Sequence, residues 1–579
     1  MASAAMLTLS ACNDLNEQEY EGNKYLSADQ SIATNEVIPE RVKATFDGMF
    51  NYIGKGGTSG LSSGSRADDF GLVMALLASD LEGADAACGD NNYNWFSVCS
   101  EMSSRNSNYA NPYIRYVTPY KQMGVANQVI SSYPADTEDK TAINYMAQAR
   151  TIRAYDYMML APFFQFGYEK AADQPCVPLL SDSVDATNNP RATVKQVYAA
   201  IINDLNYAVE NLDSDRSNKQ YINVDVALGL RARANLTMGN WADAAADAEK
   251  VINSGRYTPA TREEVSVPGF DDVTKGDGHA WVWAVIRTEA DATDHTNANY
   301  QCAAAWASPF SGDGYAAATG NTPVINQLLY DKIPATDVRK GWWLNAEKHS
   351  PNWANLSWTD PSTGVVAKGD QMADFTTSDG SKVAFEPYSN IKFGMKNGVG
   401  ATTNTSDFPL MRIEEMYLIA AEGYAKGGNE AKAREILTNF VKTYRDPSYD
   451  INGRSLTLAD EIWFQRRVEL WGEGFFTADA KRLGKPVVRF HQGVTNNFPS
   501  KYQFNMAADD GWLNMRFPQS ERNNNLGIVD NTGGSLPVAG QNGNLRDGVL
   551  FYPLCSVITV ISQGILSLNG TNPPSPAFT

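Results

Sequence analysis

Apolar residues recur along this 579-residue chain mostly at helical spacing. Over residues 36–53, Val37, Val42, Phe46, Met49 and Phe50 fall largely on one stripe, which predicts a helix. Residues 69–82 repeat the pattern and end at Gly83. Residues 84–110 predict a loop holding Tyr93, Trp95 and Phe96. Three further helices are predicted over 112–132, 137–165 and 193–212. Pro112 suits a first helical turn, and Thr193 is placed to cap the last of the three.

Two helical hairpins follow the same reasoning. Residues 223–238 and 241–253 flank a Gly239-Asn240 turn. Ala232, Gly239, Trp241 and Ala244 occupy the small, turn and aromatic positions of a tetratricopeptide unit, with Asn235 where that pattern prefers Tyr. The second hairpin runs from Arg412 to Lys426, turns at Gly427-Gly428-Asn429, and returns from Glu430 to Tyr444. Here Tyr417, Ala421, Tyr424, Gly428, Ala433 and Leu437 all fit, and small residues at such places let two helices approach closely. A helix over 458–474 follows.

Between the hairpins, residues 256–408 lose the period and become rich in Gly, Asn, Asp, Ser and Trp. Short pieces break the irregularity: a strand over Trp281 to Ile286, and short helices over 324–331 and 337–344. A long loop-rich insertion on a helical frame is usually functional or disordered, and the aromatic content argues for function. The tail after about Asn531 contains an apolar stretch, Leu550 to Leu568, interrupted by Pro553, Ser556, Ser562 and Gln563 and so unsuited to span a membrane.

Composition narrows the function. The chain carries 48 basic and 66 acidic residues, a net charge of −18, which repels phosphate backbones and so argues against nucleic acid as a partner. At the start, Leu9-Ser10-Ala11-Cys12 reads as the end of a bacterial lipoprotein signal, with Cys12 as the acylated residue; Met1 to Ala5 lack the usual basic start. Such a protein is held on a membrane surface by its lipid. Cys88 and Cys99 are close enough for a local bridge, or stand as two thiols. His279, His295, His349 and His491 lie far apart, and no Cys pair has metal spacing, so a zinc site is not expected.

Several constellations suggest chemistry. Glu414/Glu415 and Glu469/Glu473 resemble carboxylate pairs for glycoside cleavage, but Arg412, Arg466, Arg467 and Arg482 are ready ion-pair partners, which favours a structural role. Asp68-Asp69 and Asp80/Glu82/Asp85 read as solvated loop charges, with sugar hydroxyls or a cation as the alternative. Gly60-Leu61-Ser62-Ser63-Gly64 has the letters of a nucleophile elbow without the apolar strand that must precede one. Trp and Tyr in Gly/Asn-rich loops suit flat polar ligands such as sugars: the ring takes the C–H face and amides take the hydroxyls.

The strongest motif is Arg466-Arg467-Val468-Glu469-Leu470-Trp471-Gly472-Glu473-Gly474-Phe475, continuing to Asp479, Lys481-Arg482 and Gly484-Lys485. With it come Arg412 to Glu422, Ala149-Arg150 with Arg153-Ala154-Tyr155, and Pro190-Arg191 leading to Asp204-Leu205. Together these resemble the RagB/SusD family of Bacteroidetes surface lipoproteins, over roughly residues 12 to 531. The resemblance implies a mostly α fold: four tetratricopeptide-like helical hairpins forming a right-handed superhelical frame, with a large irregular insertion carrying short strands. It divides the chain into a signal remnant over 1–12, a tether over 13–35, a single domain over 36–531, and an atypical tail over 532–579. Within that domain the frame covers 36–255 and 409–485, and the ligand-facing part 256–408 and 486–531.

The same resemblance implies a non-catalytic protein that captures an oligosaccharide and passes it to a SusC-like TonB-dependent transporter in the outer membrane. No cofactor is expected; a structural cation such as calcium is conceivable without being indicated. The candidate glycan contacts are Tyr93, Asn94 and Trp95, whose loop approaches the family's ligand platform, together with Trp306, Tyr315, Trp353 and Trp358. Trp281 and Trp283 are expected in a buried strand, one of Trp342 and Trp343 in the core, and Trp241, Trp463 and Trp471 in helix packing. The alternatives are a peptide-binding member of the family, a surface glycoside hydrolase, or a scaffold without a small ligand.

Overall fold

The structure is a computed structural model that describes residues 32–35, 38–61, 68–69, 71–88, 96–180, 185–292, 308–310, 323–360, 363–376, 382–401 and 405–550. The first predicted helix is α1 (Pro39–Met49), followed by a separate turn, Asn51–Gly54. The frame continues with α2 (Gly71–Glu82), α3 (Ala110–Ser131), α4 (Lys140–Phe164), α5 (Val194–Asn211), α6 (Val224–Met238) and α7 (Trp241–Asn253). After the insertion come α8 (Ile413–Lys426), α9 (Glu430–Tyr444), α10 (Leu458–Glu469) and α11 (Phe476–Arg482).

Local chemistry sets these bounds. Thr193 and Gln196 form a reciprocal capping box at the start of α5. Asp139, Asn223, Asn429 and Thr457 cap α4, α6, α9 and α10. Gly239 ends α6 with φ 81°, a left-handed conformation that makes the tight turn into α7. The helix expected over 458–474 stops at Glu469, because Gly472 and Gly474 turn the chain with φ 76° and 85°.

Helices α3 to α9 stack in chain order, each on the next, and α10 lies against α8. This agrees with the hairpin frame. The α7–α8 contact crosses the whole insertion, and it is tight: a Cβ at Gly423 would lie 2.7 Å from the Trp241 carbonyl oxygen and 3.1 Å from the Ala245 Cβ. Tyr424 reaches across to Glu249, its hydroxyl donating at 2.7 Å.

The insertion leaves and returns as a two-stranded ribbon. Strand β2 (Trp281–Val285) pairs antiparallel with β8 (Phe408–Arg412), with Trp281 opposite Arg412 and Val285 opposite Phe408, and β8 runs directly into α8. Trp281 and Trp283 are buried in this ribbon as expected, and both Trp342 and Trp343 are core residues. The remaining strands are short: β1 (Ala86–Ala87) with β3 (Val324–Ile325), β4 (Ser357–Thr359) with β5 (Val366–Lys368), and β6 (Asp374–Thr376) with β7 (Lys382–Ala384). A small second core closes the insertion's far end, built from Phe310, Leu344, Trp353, Trp358, Met372 and Phe385 among others.

A fully buried ion network joins insertion to frame. Glu469, at the end of α10, accepts from three arginines: Arg412 at 3.0 Å, Arg445 at 2.8 Å and Arg339 at 3.2 Å. Glu473 accepts from Arg412 at 2.9 Å and from Lys392 at 2.6 Å. Asp337 holds Arg339 at 2.6 Å, and Glu414 holds Arg445 at 3.0 Å. Four cations thus face four carboxylates. Asp337, Arg339 and Lys392 come from the insertion, the rest from the frame. Burial alone would raise the Glu469 carboxyl, but the guanidiniums of Arg445, Arg412 and Arg339 hold it well below the usual range.

The described part of the tail is integrated with the frame. Val549 and Leu550 are buried, Asp547 accepts from Arg467 at 2.7 Å, and the Leu550 carbonyl bonds His491. The apolar stretch beyond Leu550 lies outside the described residues.

Gly423→Ala is expected to lower stability by about 1–3 kcal/mol, because the added methyl separates α7 from α8. Urea unfolding followed by far-ultraviolet circular dichroism measures it; an unchanged midpoint contradicts the close approach.

Candidate ligand-binding site

The segments bearing the loop candidates share a root. The one with Tyr93, Asn94 and Trp95 begins after Cys88, and the one with Tyr315 ends before Pro323; these four candidates and Trp306 lie outside the described residues. Their stems are neighbours, since β1 pairs with β3, Ala86 opposite Ile325 and Ala87 opposite Val324. Asn326 fastens the junction: its amide Nδ2 donates to the Ala84 carbonyl at 2.9 Å and the Arg489 carbonyl at 3.1 Å. Residues 388–390 extend the root. The Asn390 N–H donates to Pro323 at 3.1 Å, the Ile325 N–H to Tyr388 at 3.0 Å, and the Leu344 N–H to Ser389 at 3.0 Å. Leu344 shares the small core with Phe310, just after the Trp306 segment, and the Phe310 carbonyl accepts from Gly400 at 2.8 Å.

Arg489 is a component that sequence reasoning missed. It is fully buried and donates to the carbonyls of Gly83 at 2.9 Å, Glu82 at 2.9 Å and Ser100 at 2.5 Å, tying down both sides of the 84–100 segment. The available signal was an arginine inside the apolar run Val487-Val488-Arg489-Phe490, where a buried charge needs partners.

Two candidates are corrected. Trp353 is fully buried, with its indole N–H 3.2 Å from Asp370 Oδ1, and Trp358 is 8% exposed in strand β4. Both belong to the small core and offer no ring face to a ligand. The same accounting extends to the other indoles. Trp281, Trp283, Trp342, Trp343, Trp463, Trp471 and Trp512 are also buried, and Trp241 is half-buried beneath the Lys426 ammonium, 4.8 Å from its ring. Ten of the 12 tryptophans are described and all ten take part in packing; Trp95 and Trp306 lie outside the described residues.

The acidic residues expected to be solvated are instead internal fasteners. Asp69 accepts from the Ser59 hydroxyl at 2.8 Å. Asp80 accepts from the Gly474 N–H at 2.8 Å, which fixes the glycine turn after α10. Glu82 is paired with Arg105 at 2.7 Å and Arg115 at 2.8 Å, and Asp85 with Arg467. The other carboxylates are held in the same way. Glu415 is held by Arg233 at 2.5 Å, Asp479 by Arg466 at 2.8 Å, and Glu422 by Arg482 at 2.5 Å. With Glu414, Glu469 and Glu473 in the buried network, none of the four proposed acids is positioned as a free acid–base pair.

Cys88 and Cys99 are unbridged buried thiols, pushed up by burial to about 11 and about 12. Cys88 sits 3.2 Å from the Ser100 hydroxyl, and Cys99 accepts from Asn111 at 3.2 Å. Among the described residues no group of His, Cys, Asp and Glu is arranged to hold a metal ion. No described helix is long and apolar enough to cross a membrane. A groove of about 940 Å³ lies along Lys340, Asn345, His349, Asn355 and Asp370. Its two large aromatic rings, Tyr330 and Trp343, are buried, and its exposed ring is the His349 imidazole, which pairs with Asp370 at 2.9 Å, so the groove offers mainly hydrogen-bonding groups.

Comparison with known proteins places this geometry. A family model described as starch-binding and associating with the outer membrane matches residues 74–233, and the SusD family model matches residues 280–533. SusD-like protein P2 of Formosa agariphila is 31% identical over 399 residues, 63% of this chain and 70% of that protein. A SusD-like carbohydrate-binding protein from Bacteroides vulgatus superposes with a TM-score of 0.63 at 22% identity, over 85% of this chain and 97% of its own. A laminarin-binding SusD-like protein does so at 0.55 and 17%, over 85% and 99%.

Burial raises the Asp80 carboxyl from 3.8 to about 7. Its native form binds a proton more tightly than its unfolded form, so its contribution to stability is present below the lower value and declines as pH rises to the upper one. In Asp80→Asn that decline is expected to vanish, so the stability of the variant relative to the native protein rises across this window. Urea unfolding of both at a series of pH values measures it; a constant difference contradicts the shift.

Proposed function

Since the chain belongs to the SusD family, we propose that it is a surface glycan-binding lipoprotein that captures oligosaccharides and delivers them to a SusC-like TonB-dependent transporter. Cys12 carries the lipid anchor, and the helical frame rests on the transporter. The family is carbohydrate-binding and non-catalytic, which sets aside the hydrolase reading; the internal ion pairing of the candidate acids agrees.

The observation that carries this reading is the distribution of aromatic rings. Every described tryptophan is used in packing, while Trp95 and Trp306, outside the described residues, lie in the loop-like stretches of the sequence, and the stem of the Trp95 segment pairs through β1 and β3 with the end of the Tyr315 segment. Their rings stack on the C–H faces of a sugar; Tyr93, Asn94 and Tyr315 add contacts and hydrogen bonds to its hydroxyls. A closed space between this protein and the transporter keeps a weakly bound sugar at high local concentration, so hand-over needs no large affinity.

Binding to an array of soluble polysaccharides and oligosaccharides, followed by calorimetry on the best ligand, tests this. Trp95→Ala and Trp306→Ala are each expected to weaken binding by about ten-fold. Trp353→Ala is expected to leave affinity unchanged while costing about 3–5 kcal/mol of stability. Absence of glycan binding, or undiminished affinity in a Trp95→Ala/Trp306→Ala double variant, overturns the proposal.

A further inference from the structure

Apart from the loop root, the frame encloses a cavity of about 110 Å³ between α4, α6 and the segment after α10. Its wall is mostly apolar, with Leu76, Met158, Met159, Phe166, Leu236 and Phe475 as the principal surfaces. Met158, Phe166, Phe475 and Ala478 are half-buried and mark its mouth.

The polar groups in the wall are nearly all satisfied. Arg233 is held by Glu415 and the Leu410 carbonyl, Arg482 by Glu422 and Asp479, and Glu473 by Arg412 and Lys392. The Lys481 ammonium donates to the Pro162 and Gln165 carbonyls and to Asn514 Oδ1. Arg466 is the exception. Its Nε and Nη2 donate to Asp479 at 2.8 and 3.2 Å, while its Nη1 is buried with no partner. A buried unpaired donor is costly, and an occupant bearing an acceptor removes that cost.

We propose that this cavity binds a small, neutral, mostly apolar molecule carrying one hydrogen-bond acceptor, which accepts from Arg466 Nη1. Size sets the class: at about 110 Å³ the cavity is smaller than the about 150 Å³ one that admits benzene, so its occupant is a short chain, or a single ring seated partly in the half-buried mouth. Neutrality follows from the wall, where each guanidinium already has its own carboxylate and burial holds the Lys481 amine well below its usual range, towards the neutral form, so a charged ligand would be desolvated without a free counter-charge.

The test uses the full chain labelled with 13C at the methionine methyls and titrated with benzyl alcohol, benzene and benzoate. The Met158 and Met159 signals, assigned through Met158→Leu and Met159→Leu, report occupancy. Benzyl alcohol is expected to shift both saturably while leaving the distant, buried Met49 unmoved. Benzene, lacking the acceptor, is expected to bind about ten-fold more weakly, and benzoate not at all. Ala478→Phe, which fills the mouth without removing a polar partner, is expected to abolish the shifts. No shift with benzyl alcohol (a cavity that holds only water), equal binding of benzoate, or undiminished shifts in a folded Ala478→Phe protein overturns the proposal.

Discussion

Glu469 organises the protein. One carboxylate accepts from arginines that lie in the insertion, at the start of α8 and at the end of α9. Buried charges are tolerated only when each finds its partners, and removing one strands the rest. The network is therefore complete or costly. It closes only when Asp337, Arg339 and Lys392 of the insertion meet Arg412, Glu414, Arg445, Glu469 and Glu473 of the frame. Every one of these buried charges finds a partner in the observed docking of insertion on frame. The Arg-Arg, Gly-Glu-Gly motif is thus the fastening of a long irregular segment, with the glycine turn placing Glu473 and the Asp80 carboxyl holding that turn.

On the proposed reading, a firmly docked frame leaves ligand recognition to loops. Scaffolds commonly hold variable segments on fixed stems. Here the stems at Cys88 and Pro323 are tied by β1–β3 pairing, by Asn326 and by residues 388–390, and Arg489 secures the other side of the first segment. The indoles divide accordingly: those in the ribbon, the signature helix and the small core are spent on packing. On the proposed reading, Trp95 and Trp306, outside the described residues, supply the rings for a sugar face.

The frame was legible in the sequence because its signals are local. Periodicity located α2 to α9, Thr193 marked a cap that forms a capping box, and the alternation around Trp281 marked a strand. The arginines near Glu414, Glu469 and Glu473 were rightly read as structural partners. Trp353 and Trp358 were misread because their core is assembled from pieces between Phe310 and Met395, which no local pattern links. Asp85 and Glu82 looked like loop charges because their partners lie elsewhere; Arg467 stands 382 positions from Asp85. The helix over 458–474 overran its end, since the glycines that stop it also fit a helix with a flexible tail.

Hydrogen-exchange mass spectrometry of Glu469→Gln against the native protein tests the central claim most directly. If one buried network docks the insertion on the frame, protection falls together in the insertion around residues 337–344 and 388–395 and in the frame around 410–416 and 441–446. Loss of protection confined to α10, with the insertion unchanged, would contradict the account.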